Sequence, residues 1–211
     1  MKKIIFILIL FLSCYFIYNI SLDNKIYYVS IGDFLSKGVN SYGVKVNGYS
    51  DYVRDYLYEN NRLKEYNNIF CESDYRVTDV LRMIKYNDTR EYNGKELNIN
   101  RLIKEADVIS LSVGMNELIN DMKELLEYIN KFNHKRVYVL GYYNTYGYQE
   151  YIDYINIKLK NIVINEGFIY IDLANIFDNN PRLFDKKDSF IPNNQGYLKI
   201  SEKIVAKIEN N

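Results

Sequence analysis

Chemistry in this chain is most plausible where short polar motifs follow apolar runs. Tyr27–Ile31 is β-branched and aromatic, and it stops at Gly32-Asp33-Phe34-Leu35-Ser36-Lys37-Gly38. A buried parallel strand reads this way when it delivers a loop to its carboxyl edge, where open α/β sheets keep their active sites. A second run, Asp107–Val113, stops at Gly114-Met115-Asn116-Glu117. A third polar stretch, Asp188-Ser189-Phe190-Ile191-Pro192-Asn193-Asn194-Gln195-Gly196-Tyr197, leads into the last amphipathic segment. Metal chemistry is excluded by the inventory, because 1 His and 2 Cys at wide separation build no zinc cluster. No sequence feature calls for a cofactor.

The elements that would position these motifs alternate between two periods. Strand patterns are expected at Lys25–Ile31, Asn68–Cys71, Asp107–Val113, Arg136–Leu140 and Phe168–Leu173. Helical spacing is expected over Tyr49–Glu59, Val77–Ile84, Asn98–Ala106, Glu117–Phe132, Tyr148–Glu166 and Gln195–Ile208. Gly38–Gly48 reads as a glycine-punctuated loop, and Tyr86–Leu97 as a polar, irregular insertion. Strands alternating with helices at this spacing predict one α/β/α sandwich around a five-stranded parallel sheet, of flavodoxin-like type. No internal repeat or linker divides it, so residues 23–211 are expected to form one domain. His134, in Asn133-His134-Lys135 between a helix and a strand, is then a surface residue at the amino edge, opposite the site.

In order and spacing, the three polar motifs resemble the blocks of the SGNH/GDSL hydrolases. Gly32-Asp33-Phe34-Leu35-Ser36-Lys37-Gly38 is similar to that family's Gly-Asp-Ser-Leu-Ser-x-Gly, with Phe34 where the nucleophilic serine stands. Gly114-Met115-Asn116-Glu117 resembles its Gly-x-Asn-Asp block, which implies that Asn116 would donate an N–H to an oxyanion. Asn116 could equally cap the helix that starts there. The third motif resembles Asp-x-x-His-Pro-Asn-x-x-Gly-Tyr, with Asp188 retained and Ile191 at the histidine position. A weaker match, Ser73–Leu81, puts Asp74 where a glycine would supply a second oxyanion donor, and a carboxylate there would repel the developing charge.

Ester hydrolysis by serine needs a hydroxyl and a base to take its proton. Phe34 supplies no nucleophile and Ile191 no base. The resemblance therefore implies a site without an intact catalytic pair, in which Asp33, Ser36, Gly114, Asn116 and Asp74 remain as binding or oxyanion positions. One reading is a non-catalytic binding or scaffolding module for an acyl ligand, a glycan or a protein partner. An alternative is an active acylhydrolase on a lipid or cell-wall ester that uses Ser36, or Ser189 with Asp188, in a rearranged site. A purely structural partner with no ligand in the cleft is a third.

Location is read from the amino terminus. Met1-Lys2-Lys3 precedes an apolar run from Ile4 to Ile20, and no small-x-small cleavage site follows. Residues 1–22 are expected to be an uncleaved membrane anchor, with the lysines in the cytoplasm and the domain outside. Phe11-Leu12-Ser13-Cys14 resembles a lipoprotein box only in part, since the apolar run continues past Cys14. Cys71 then has no intrachain partner in the domain and reads as a small buried hydrophobe. Lys+Arg and Asp+Glu are equal at 27 each, so no net field points to nucleic acid. The 23 tyrosines could contact sugars, but they accompany frequent Asn, Lys and Ile, the composition that AT-rich codons give.

Overall fold

The computed structural model describes residues 25–114, 119–144, 147–178, 180–186 and 189–210. Its strands are β1 (Ile26–Gly32), β2 (Leu63–Asn67), β3 (Thr89–Tyr92), β4 (Lys95–Asn98), β5 (Val108–Ser112), β6 (Arg136–Leu140) and β7 (Ile169–Ile171). Helices α1 (Phe34–Lys37), α2 (Tyr49–Glu59), α3 (Val77–Tyr86), α4 (Ile99–Glu105), α5 (Ile119–Phe132), α6 (Gln149–Asn165), α7 (Ala174–Phe177) and α8 (Asn194–Glu209) alternate with them. Five strands form one parallel sheet in the order β2-β1-β5-β6-β7, and β3 pairs with β4 separately. The expected α/β/α sandwich with a five-stranded parallel sheet is what the chain forms.

Strands β1 and β5 are buried along their whole length, which is why they read as continuous apolar runs. Alternation still divides their side chains. Tyr27, Val29 and Ile31 of β1, with Ile109 and Leu111 of β5, pack against α3, α4, α5 and α6. Ile26, Tyr28 and Val108 face the opposite layer, made by α1, α2, α7 and α8. From β1 the chain moves outward to β2 and then returns to β5 on the other side of β1. Open α/β sheets bind their ligands at such a reversal, outside the carboxyl ends of the strands.

Two expectations are corrected. The second strand is Leu63–Asn67, not Asn68–Cys71. Leu63-Lys64-Glu65-Tyr66-Asn67 is an edge strand with an exposed centre, so it lacks an apolar signature. The apolar residues Phe70 and Cys71 are buried in the loop after it, and Cys71 makes one isolated bridge to Gly32. Tyr86–Leu97 is not irregular, because most of it is the β3–β4 hairpin. Asn93 and Gly94 turn it with φ of 52° and 73°, the positive values that a two-residue type I′ turn requires.

Among the described residues no helix is long and apolar enough to cross a membrane. Residues 1–22, which carry the expected anchor and Cys14, lie outside the described residues.

Candidate functional site

The site is built where β1 and β5 end side by side. A Cβ on Gly32 would overlap the Ser112 carbonyl, so only glycine lets the two backbones approach this closely. The next residue crosses the gap: the Asp33 N–H donates to the Ser112 carbonyl at 2.7 Å. Asp33 then caps α1, its Oδ1 accepting the Leu35 N–H at 3.0 Å and the Ser112 hydroxyl at 3.0 Å. Burial pushes the Asp33 carboxyl up to about 7, and these hydrogen bonds only partly oppose the shift.

Phe34 follows, and its side chain is a wall. It is 8% exposed, and its ring meets Phe190 edge-on with centroids 5.5 Å apart at 82°. Ile191, the next residue in that loop, packs against the same apolar cluster. The loop is held from two sides: the Tyr143 hydroxyl donates to the Phe190 carbonyl at 2.6 Å, and the Ile191 N–H donates to Ser189 Oγ at 3.0 Å. The space bounded by Asp33, Phe34, Leu35, Ser112, Val113, Leu140, Gly141, Tyr142 and Tyr143 has a volume of about 10 Å³, room for one water. Segments 32–38 and 189–191 are thus brought together, and hydrocarbon faces hydrocarbon where they meet.

Directly beneath lies a layer of buried hydroxyls. Ser30, Ser36, Tyr49, Ser110 and Ser112 are each at most 2% exposed. One arrangement of protons satisfies the whole layer. Tyr49 donates to Ser110 at 3.1 Å, Ser110 to Ser30 at 3.1 Å, and Ser30 to Ser36 at 3.0 Å. Ser36 Oγ lies 2.7 Å from Ser112 Oγ, and Ser112 passes its proton to Asp33 at 3.0 Å. Tyr28 joins through Ser110 at 2.7 Å. Burial pushes the Tyr49 hydroxyl up to about 12, so it is a donor at any ordinary pH and never a base. Cys71 closes the layer as a buried free thiol whose Sγ donates to the Ser30 carbonyl at 3.2 Å. Its pKa is also pushed up to about 12, which leaves it inert as a nucleophile.

Gly114 is buried just past β5 with φ 87°. Asp74 is exposed in the turn before α3. Asn116 and Asp188 lie outside the described residues. Ser189 is half-buried and its hydroxyl sits 2.9 Å from that of Ser41. His134 is exposed between α5 and β6, at the amino edge of the sheet.

Several polar motif residues prove to hold the frame. Asn193 caps α8 by accepting the Gly196 N–H at 3.0 Å. A Cβ on Gly196 would come within 2.7 Å of the Leu183 carbonyl. The Tyr197 hydroxyl reaches across from α8 to the carbonyls of Val39 at 2.7 Å and Phe34 at 3.2 Å, clamping the loop that carries Phe34. Sequence reasoning did not identify the hydroxyl layer or this clamp. The layer had a signal: Tyr28 and Ser30 in β1, and Ser110 and Ser112 in β5, recur at a period of two inside otherwise apolar runs.

No protein-family model matches the sequence, and no curated protein sequence does either. Solved structures do. A lipase from a goat rumen metagenome superposes with a TM-score of 0.67 at 21% identity, covering 86% of this chain and 97% of its own. An acetylxylan esterase from Geobacillus stearothermophilus gives 0.65 at 13% identity, covering 87% and 94%. A family 3 carbohydrate esterase from Clostridium thermocellum gives 0.65 at 16% identity, covering 88% and 96%. At these identities the likeness is one of architecture, and that architecture is the fold of the SGNH-type hydrolases.

Proposed function

We propose that this chain is a non-hydrolytic relative of the SGNH-type hydrolases, held at the outer face of a membrane by residues 1–22. The apolar surface at its carboxyl edge serves to bind a glycan or a protein partner without cleaving it, since the space behind Phe34 has room for one water only. The observation that carries this reading is the contact of Phe34 with Phe190 beside Ile191, an apolar floor at the two positions the motifs assign to nucleophile and base. Retained motif residues support it too. Gly32, Asp33, Ser36, Asn193, Gly196 and Tyr197 each have a packing or hydrogen-bonding task that needs no chemistry.

A rearranged active site is disfavoured on the same grounds. Ser36 is 0% exposed, and its nearest polar neighbours are the hydroxyls of Ser30, Tyr49 and Ser112, so no substrate can reach it and no adjacent base can activate it. Ser189 is more accessible, but its described partners are the Ser41 hydroxyl and the Ile191 backbone, neither of which is a base.

Hydrolysis of p-nitrophenyl acetate by the full chain in detergent tests this. The expected result is no release above a buffer control, for the natural sequence and for Phe34→Ser alone, because nucleophile and base act as a unit. Turnover by the natural sequence that Ser189→Ala abolishes would overturn the reading in favour of an active esterase.

A further inference from the structure

All five strands of the main sheet run the same way, so their amino ends share one edge and the site lies at the other. The proposed anchor joins the domain at the amino edge. Only Asp23 and Asn24 separate residue 22 from Lys25, and β1 begins at Ile26. A connection that short leaves the amino edge little freedom to turn away from the surface in which the anchor sits.

The surface of that edge also carries exposed apolar side chains. Helices α2, α5 and α6 all end there, and the last turn of each exposes a large apolar or aromatic residue. Tyr58 is 74% exposed, Phe132 42% and Ile164 56%. The ends of α5 and α6 are adjacent, since Asn130 Nδ2 donates to Glu166 Oε2 at 2.9 Å. Lys131 lies over the Phe132 ring at 5.5 Å. The acids Asp107 and Glu209 at this edge are already paired, with Lys135 at 2.5 Å and with Arg62. Exposed aromatic and aliphatic side chains, with Lys131 beside Phe132, suit the headgroup layer of a bilayer. The rings sit at the apolar boundary there, while the ammonium groups stay in water.

We propose that the amino edge of the domain rests on the headgroup layer of the membrane holding residues 1–22, through Tyr58, Phe132 and Ile164, and that the site faces away from it. This rests on the anchor reading given above. It narrows the ligand. Strand β1 has 7 residues, so at about 3.3 Å per residue the floor at Phe34 stands roughly 20 Å above the bilayer surface. An acyl chain still seated in that bilayer is out of reach, and the ligand is a soluble or polymer-borne group approaching from the far side.

Short-range quenching by nitroxide-headgroup lipid tests the orientation. Full-length Cys14→Ser protein, with either His134→Cys or Tyr42→Cys, is labelled with a fluorophore and reconstituted in vesicles of phosphatidylethanolamine and phosphatidylglycerol. Cys71 is 0% exposed and stays unlabelled. The expected result is severalfold stronger quenching at position 134, on the amino edge, than at position 42, in the loop beside Ile191. Equal quenching, or stronger quenching at 42, in protein that floats with the vesicles would overturn the orientation while leaving the anchor standing. Protein that fails to float with the vesicles would overturn both.

Discussion

The floor of the site and the layer just under it are opposites. At the floor, Phe34, Phe190 and Ile191 pack ring and aliphatic chain together. Beneath them, Ser30, Ser36, Tyr49, Ser110, Ser112 and Asp33 share protons in a buried network. A hydrolase of this kind needs its polar groups at the surface, free to change partners during a reaction. Here the hydroxyls are inside and committed to one another, and the surface positions are apolar. The polar residues near the site therefore read as fastenings for the Asp33–Gly38 loop.

The contact between β1 and β5 that brings the two layers into register gives the largest expected effect. Gly32→Ala drives a methyl group into the Ser112 carbonyl and should cost about 3 kcal/mol or more, read as a shift of the urea midpoint. Gly43→Ala, with φ 75° but nothing near its Cβ, should cost only about 1 kcal/mol. Equal costs would mean that the close approach is not a constraint.

Asp33 sets the next effect, through pH. Its carboxyl is held at about 7 in the fold against an ordinary value of 3.8, so the folded state binds more protons between those limits. Stability should then fall as pH rises from about 4 to about 7 and level off above, by a few kcal/mol at most. Asp33→Asn keeps an Oδ1 for the Leu35 N–H and the Ser112 hydroxyl while removing the charge. The variant should lose this component, and urea midpoints at pH 5 and pH 8 should differ less than in the natural chain. Parallel pH profiles would show that Asp33 is not held protonated by burial.

Tyr49→Phe gives the smallest effect. It removes the donor to Ser110 and a neighbour of Ser36, yet both serines keep other partners. A loss of about 1–2 kcal/mol is expected. Combined with Ser36→Ala the cost should be less than the sum, since both substitutions break one network. Strict additivity would contradict a connected layer.

How much of this was legible depends on which force decides each element. Strand Arg136–Leu140 and helix Tyr49–Glu59 have the predicted bounds, because their apolar periodicity and their burial agree. Edge strand Leu63–Asn67 was not legible, since its fit comes from backbone pairing to β1 and its side chains are largely exposed. Asn93-Gly94 was a readable turn signal, obscured by the polar residues around it. At the site, the apolar character of Phe34 and Ile191 was visible in the sequence, while the roles of those two positions came only from the resemblance to the SGNH/GDSL blocks. The destination of Ser36 was not. A serine four residues past a strand looks exposed, and only the approach of α2 and β5 shows that it is buried.

The central claim, that no serine in the natural chain is an activated nucleophile, is tested most directly by a fluorophosphonate. Such reagents phosphonylate serines activated by a hydrogen-bonded base and leave serines without such a base unmodified. Intact-mass analysis of the full chain after prolonged exposure should show no adduct. A stoichiometric adduct mapped to Ser36 or Ser189 would contradict the account.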